Sequence, residues 1–130
     1  KIRSELVEIA KGKTMIISST HFSEEPSSAS EILDDIEDMA DSGDIIKVCY
    51  NTTGRNSALR LFEAAWMLKE SDKKTAIMGL GVGGDWTRIH APLLNQYLVY
   101  STMETGSHLS SEGRINASDL LIAWEMLNYE

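Results

Sequence analysis

Apolar residues along this chain switch repeatedly between the spacing of helix faces and the short unbroken runs of buried strands. Ile2, Leu6, Ile9 and Ala10 recur at helical spacing, and Gly12 closes that helix. Residues 14–19 (TMIISS) form a short run of strand type, followed by a loop over 21–27 that holds Pro26. Ser28 and Glu31 have capping-box spacing, opening a helix with Ile32, Leu33, Ile36 and Met39 inward and Gly43 at its end. The strand Asp44-Ile45-Ile46-Lys47-Val48-Cys49-Tyr50 follows at once, then a loop at 51–54. A helix with Leu59, Phe62, Ala65 and Trp66 near one face comes next. Residues 75–78 read as a third strand, 79–84 as a glycine-rich connection and 85–94 as a short helix. Residues 97–102 read as a fourth strand, and 116–129 as a last helix capped by Asn116.

Strands alternating with helices over short connections predict an α/β fold with a parallel sheet, functional loops lying at the C-terminal strand ends. After its first helix the chain has four strand-then-helix units, half of an eight-stranded barrel, with an open doubly wound sheet as the alternative. No linker or repeat divides it, so residues 1–130 are expected to be a single domain.

Composition narrows the function. A net charge of −8 argues against a nucleic-acid surface, so no nucleic-acid partner is expected. No run of eighteen apolar residues exists, which predicts no membrane-spanning helix, and the polar helical start does not read as a signal peptide. The single cysteine, Cys49, cannot form an internal disulfide and fits a reducing cytoplasm. His21, His90 and His108 show no metal-ligand spacing, so no metal is expected.

Lys47, alone in an apolar strand, carries the most chemistry. Burying an ammonium is costly, so such a site pairs the charge or favours the free amine. A free amine condenses with a ketone to give a Schiff base. The competing expectation is a lysine that snorkels to solvent or pairs with a carboxylate. His21 stands at a strand end where an imidazole can shuttle protons, or else is an exposed loop residue. Arg88, after the glycine loop, can hold a carboxylate bidentately or form a surface ion pair. Ser110, Ser111 and Arg114 offer donors from a loop after the fourth strand. Residues 79–84 also match G-x-G-x-x-G, which keeps a non-catalytic dinucleotide-binding module open, although the match lies in the third strand-to-helix connection rather than the first. Trp66, Trp86 and Trp124 sit at helical positions and are expected to pack.

Taken in order, Thr20-His21-Phe22, Asp44-Ile45-Ile46-Lys47, Met78-Gly79, Trp86-Thr87-Arg88 and Ser110-Ser111-Glu112-Gly113-Arg114 resemble the C-terminal half of type I 3-dehydroquinate dehydratase. The resemblance covers nearly the whole chain. It implies a (β/α)8 barrel of which this chain is the C-terminal half, and a cytoplasmic shikimate-pathway lyase that needs no cofactor. In such an enzyme Lys47 would form the Schiff base with 3-dehydroquinate, Arg88 would hold the substrate carboxylate and Ser110 would bind substrate.

Two positions depart from the family pattern. Thr20 falls on the usual histidine and His21 on the usual aspartate, so either a local shift lets His21 carry protons or that role is weakened. Arg114 stands where glutamine is usual. Half a barrel also leaves open strand edges, which predicts a homo-oligomer, such as a dimer, or association with an N-terminal half. Another Schiff-base barrel such as a class I aldolase, and an inactive interaction domain, are the remaining alternatives.

Overall fold

A computed structural model describes residues 2–129. Its centre is a parallel three-stranded sheet in the order β1 (Ile17–Phe22), β2 (Ile45–Thr52), β3 (Lys74–Gly81). Helices α2 (Ala29–Asp38) and α3 (Arg55–Met67) are the crossovers and cover one face. β2 is central and buried along nearly its whole length, which is why it reads as an unbroken apolar run. Its Ile46, Val48 and Tyr50 pack under Ile32 and Ile36 of α2 and Leu61, Ala64 and Ala65 of α3. Tyr50 stacks on Phe22 with ring centroids 4.5 Å apart and donates its hydroxyl to Asp35 Oδ2 at 2.5 Å. Desolvation, reinforced by that carboxylate, pushes the Tyr50 phenol well above its usual range.

Sequence and structure part at several elements. The helix face of α3 is built from Ser57, Ala58, Leu61, Ala64 and Ala65, whereas Leu59 and Trp66 are exposed. Trp66 therefore does not pack in the core; its ring meets Lys69 Nζ at 4.8 Å instead. Ser28 caps α2 by accepting from Glu31 N, but the Glu31 carboxylate reaches back to Ser27 rather than Ser28, so only half of the capping box forms. Gly43 follows a short 3-10 turn over Ala40–Ser42, and a side chain there would meet Ile16 O at 2.9 Å. The first helix, α1 (Ile2–Ala10), buries none of its residues: Ile2, Leu6 and Ile9 are exposed.

The expected fourth strand does not form. Tyr97 N donates to Thr75 O, but the next free donor on β3, Ile77 N, is taken by Gln96 Oε1 at 2.7 Å. The Gln96 side chain thus fills the ladder position a further strand would need. Residues 98–101 cross over the sheet as irregular chain, and Thr102 makes one parallel bridge to Asn116. The expected helix at 85–94 is shorter, α4 (Gly84–Ile89), followed by turns; α5 (His108–Ser111) and α6 (Ala117–Met126) complete the chain. Asn116 caps α6 by accepting from Ser118 N.

Candidate active site

Strand alternation assigns the other face of the sheet to the candidate chemistry. The parallel register sets Ser19, Lys47 and Ala76 abreast, with His21, Cys49 and Met78 one step further along. These side chains stand opposite the helices, and Lys47, His21, Cys49 and Met78 floor a cavity of about 460 Å³, a size suited to a small molecule. Leu80, Arg88, Tyr100, Ser101, Thr102 and Arg114 complete its walls.

Lys47 is 6% exposed, so it does not snorkel to solvent. Nor does it pair with a carboxylate among the described residues. Its Nζ instead lies 2.9 Å from His21 Nε2, 3.2 Å from Ser19 Oγ, 3.0 Å from Cys49 Sγ and 5.0 Å from the centre of the Tyr100 ring. An amine whose contacts are an imidazole, a hydroxyl, a thiol and an aromatic ring forgoes the ion pair that normally offsets burial of an ammonium. That environment favours nucleophilic use over structural use. Thr20 points the other way: it is aligned with Val48, on the helix-covered side.

Arg88 is buried, at 4% exposure, and forms no ion pair among the described residues. Nη1 donates to the carbonyls of Gly79, Gly84 and Gly113, and Nε donates to Tyr100 O. Nη2 has no partner among the described residues and is the donor left for a ligand, so the bidentate fork expected from the sequence is already half committed to backbone. Burial lowers the Arg88 pKa, opposed by attraction to Cys49 and Asp85. Arg114 also reaches the cavity, where Glu112 and Glu104 hold its guanidinium and raise its pKa further.

Ser110 is not brought to the cavity: it lies on α5, exposed, with Oγ donating to Asp85 Oδ2 at 3.0 Å. The glycine-rich segment is consumed by packing rather than left free to cradle a phosphate. A Cβ on Gly84 would sit 2.4 Å from Gly79 O, and one on Gly81 would sit 2.2 Å from Thr52 O. The α4 helix that follows has only six residues. Among the described residues no group of three or more His, Cys, Asp or Glu is placed to hold a metal ion. Ser19, Cys49 and Tyr100 are site residues that sequence reasoning missed. The two-residue period of β1 and β2 was the signal for the first two, because Ser19 precedes His21 and Cys49 follows Lys47 by two.

Comparison with known proteins converges on one family. The family model for type I 3-dehydroquinase matches residues 1–129. The 3-dehydroquinate dehydratase of Methanosarcina acetivorans is 28% identical over 127 residues, covering 96% of this chain and 52% of that protein. The solved type I 3-dehydroquinate dehydratase of Clostridium difficile superposes with a TM-score of 0.82 at 21% identity, over 97% of this chain and 50% of that one. The enzyme from Geobacillus kaustophilus gives 0.83 at 18% identity, over 98% and 50%. At such identities the superpositions speak for the fold, an α/β arrangement around a parallel sheet. The chain spans about half the length of the relatives it matches.

Proposed function

The chain belongs to the type I 3-dehydroquinase family, and from that premise we propose that it forms the C-terminal half of a (β/α)8 barrel that dehydrates 3-dehydroquinate to 3-dehydroshikimate. The reaction runs through a Schiff base on Lys47. The observation that carries this reading is the buried Lys47 amine, free of any carboxylate partner among the described residues and 2.9 Å from His21 Nε2.

The amine attacks the C3 ketone and expels water, giving an iminium. The iminium withdraws electrons from C2 and acidifies its hydrogen. His21 takes that proton and returns it to the C1 hydroxyl, which departs as water; hydrolysis of the iminium then frees Lys47. Arg88 Nη2 meets the substrate carboxylate, and its other nitrogens are fixed by Gly79, Gly84, Gly113 and Tyr100, so the charge is held in place before substrate arrives. Arg114 supplies a further donor at the cavity wall. Ser110 contributes a substrate contact only once its hydroxyl leaves Asp85. The remaining βα units, from an N-terminal half or a second copy, would close the barrel over the open side. The setting is a reducing cytoplasm, which suits a chain whose single Cys49 has no second cysteine for an internal disulfide.

Borohydride reduction with 3-dehydroquinate tests the reading, followed by intact mass and peptide mapping. It is run on the chain alone and with an N-terminal half-barrel supplied. A reduced adduct on Lys47 is expected. No adduct under either condition would overturn the Schiff-base reading.

A further inference from the structure

Cys49 carries the one thiol of the chain, and the proposed dehydration leaves it unused although it lines the cavity. It follows Lys47 by two residues on β2, so both side chains rise from the same face, and Sγ lies 3.0 Å from Lys47 Nζ. The thiol is 2% exposed yet lines the cavity, so a small solute reaches it and a large one does not. Lys47 Nζ is in contact with it, and two guanidiniums, those of Arg88 and Arg114, line the same walls, with Arg88 Nη2 unpartnered among the described residues. Cationic neighbours in a partly open site are the setting in which a cysteine oxidises. The chain has no second cysteine to resolve an oxidised sulfur as an internal disulfide. The nearest nucleophile is the Lys47 amine, and His21 Nε2 lies 2.9 Å from that amine to receive its proton.

We infer that Lys47 and Cys49 form a peroxide-sensitive modification site that closes to a reversible sulfenamide. Hydrogen peroxide oxidises the thiol by two electrons: an S–O bond forms as the O–O bond breaks, giving sulfenic acid and one water. The Lys47 nitrogen then attacks sulfur. An N–S bond forms, the S–O bond breaks, and the departing hydroxide leaves as a second water with the proton taken from nitrogen. A small thiol reverses the link by attacking sulfur, which releases the amine and forms a mixed disulfide that a second thiol reduces. While closed, the link removes Lys47 as a nucleophile and shields Cys49 from further oxidation.

The test needs no turnover, so it stands or falls apart from the dehydratase reading. Trypsin cuts after Lys13, Lys47 and Arg55, with no other Lys or Arg between. After brief treatment with peroxide, cleavage after Lys47 is expected to be lost. Residues 14–55 should then appear as one peptide about 2 Da lighter than the same uncut reduced peptide. Dithiothreitol should restore both mass and cleavage, and Cys49→Ala should abolish the change. Added oxygen on Cys49 with cleavage after Lys47 intact would overturn the proposal, as would no change at that peptide.

Discussion

His21 Nε2 lies 2.9 Å from Lys47 Nζ across a strand boundary, 26 positions apart in the chain. Parallel pairing sets Ser19 beside Lys47 and His21 beside Cys49, all on the face away from the helices. Thr20, one residue earlier, is carried to the opposite face beside Val48. The pleat of β1 thus turns His21, and not Thr20, toward Lys47. His21→Ala is expected to lower dehydration by about a hundred- to ten-thousand-fold, the usual worth of a positioned acid–base group. Borohydride trapping on Lys47 should persist in that variant. Thr20→Ala should leave the rate within a few-fold. The reverse ranking of the two variants in a product-formation assay would remove His21 from the proton path.

Lys47 should weaken the fold it serves, since its buried nitrogen finds no carboxylate among the described residues. Lys47→Met keeps the stem volume and removes the polar burial. The variant is expected to abolish adduct formation while raising stability by about 1 kcal/mol, as replacements at strained functional positions commonly do. Urea unfolding checks it. A loss of more than about 1 kcal/mol would mean that the contacts to Ser19, His21 and Cys49 hold the fold together.

Much of this was legible in the sequence, for reasons that differ by residue. Helix α2 and strand β2 followed from periodicity, because they bury one stripe and one run in a common core. By contrast, β1 lies at Ile17–Phe22 rather than 14–19 and takes His21 out of the loop read at 21–27, and β3 runs on to Gly81. Lys47 stood out because a charge interrupts that run. The fourth strand was misread because residues 97–102 have strand composition, whereas the position was decided by the Gln96 side chain bonding Ile77 N, a contact no local pattern reveals. Leu59 and Trp66 have helical spacing but fall outside the arc that α3 turns to the sheet. The glycines of 79–84 were visible as a pattern but not as a purpose. Their use, admitting Thr52, Ala58 and Gly113 to close approach, depends on elements distant in sequence.

Arg88 is a tie between segments as well as a candidate anion donor. Its Nη1 gathers carbonyls from the end of β3, the start of α4 and the turn after α5. Arg88→Met strands those acceptors in a buried setting, each costing about 1–3 kcal/mol, so a destabilisation of at least about 3 kcal/mol is expected. Urea midpoints at unchanged slope measure it. A midpoint equal to that of the parent protein would show that these bonds carry no net stability.

Apolar faces left uncovered on the helices point to association. Ile2, Leu6 and Ile9 of α1 and Leu121, Ile122 and Met126 of α6 are exposed, and β1 has a free edge. Light scattering at micromolar concentration is expected to report a mass above that of one chain. An N-terminal half-barrel should replace the self-contact and give a defined heterodimer. A monomer under both conditions would sink the expectation that these surfaces need a partner.

His90 gives the fold a pH dependence of its own. The imidazole is partly buried, meets Phe62 edge-on with centroids 5.6 Å apart, and shares a 2.9 Å contact between Nδ1 and the Tyr129 hydroxyl. Burial holds it below the ordinary histidine range, because the folded state resists the charged form. The unfolded chain takes up its proton near pH 6.5. Below that pH the unfolded state binds more protons than the folded one, so stability falls as pH drops. The contribution is fully present above about pH 6.5 and is lost progressively on acidification toward the depressed folded value. His90→Gln removes the titration and should flatten this part of the stability profile relative to the parent. Urea unfolding of both proteins at about pH 7.5 and about pH 5.5, on either side of the ordinary imidazole pKa, reads the difference. A larger parental stability at the lower pH, or identical slopes, would show that burial does not disfavour the His90 cation.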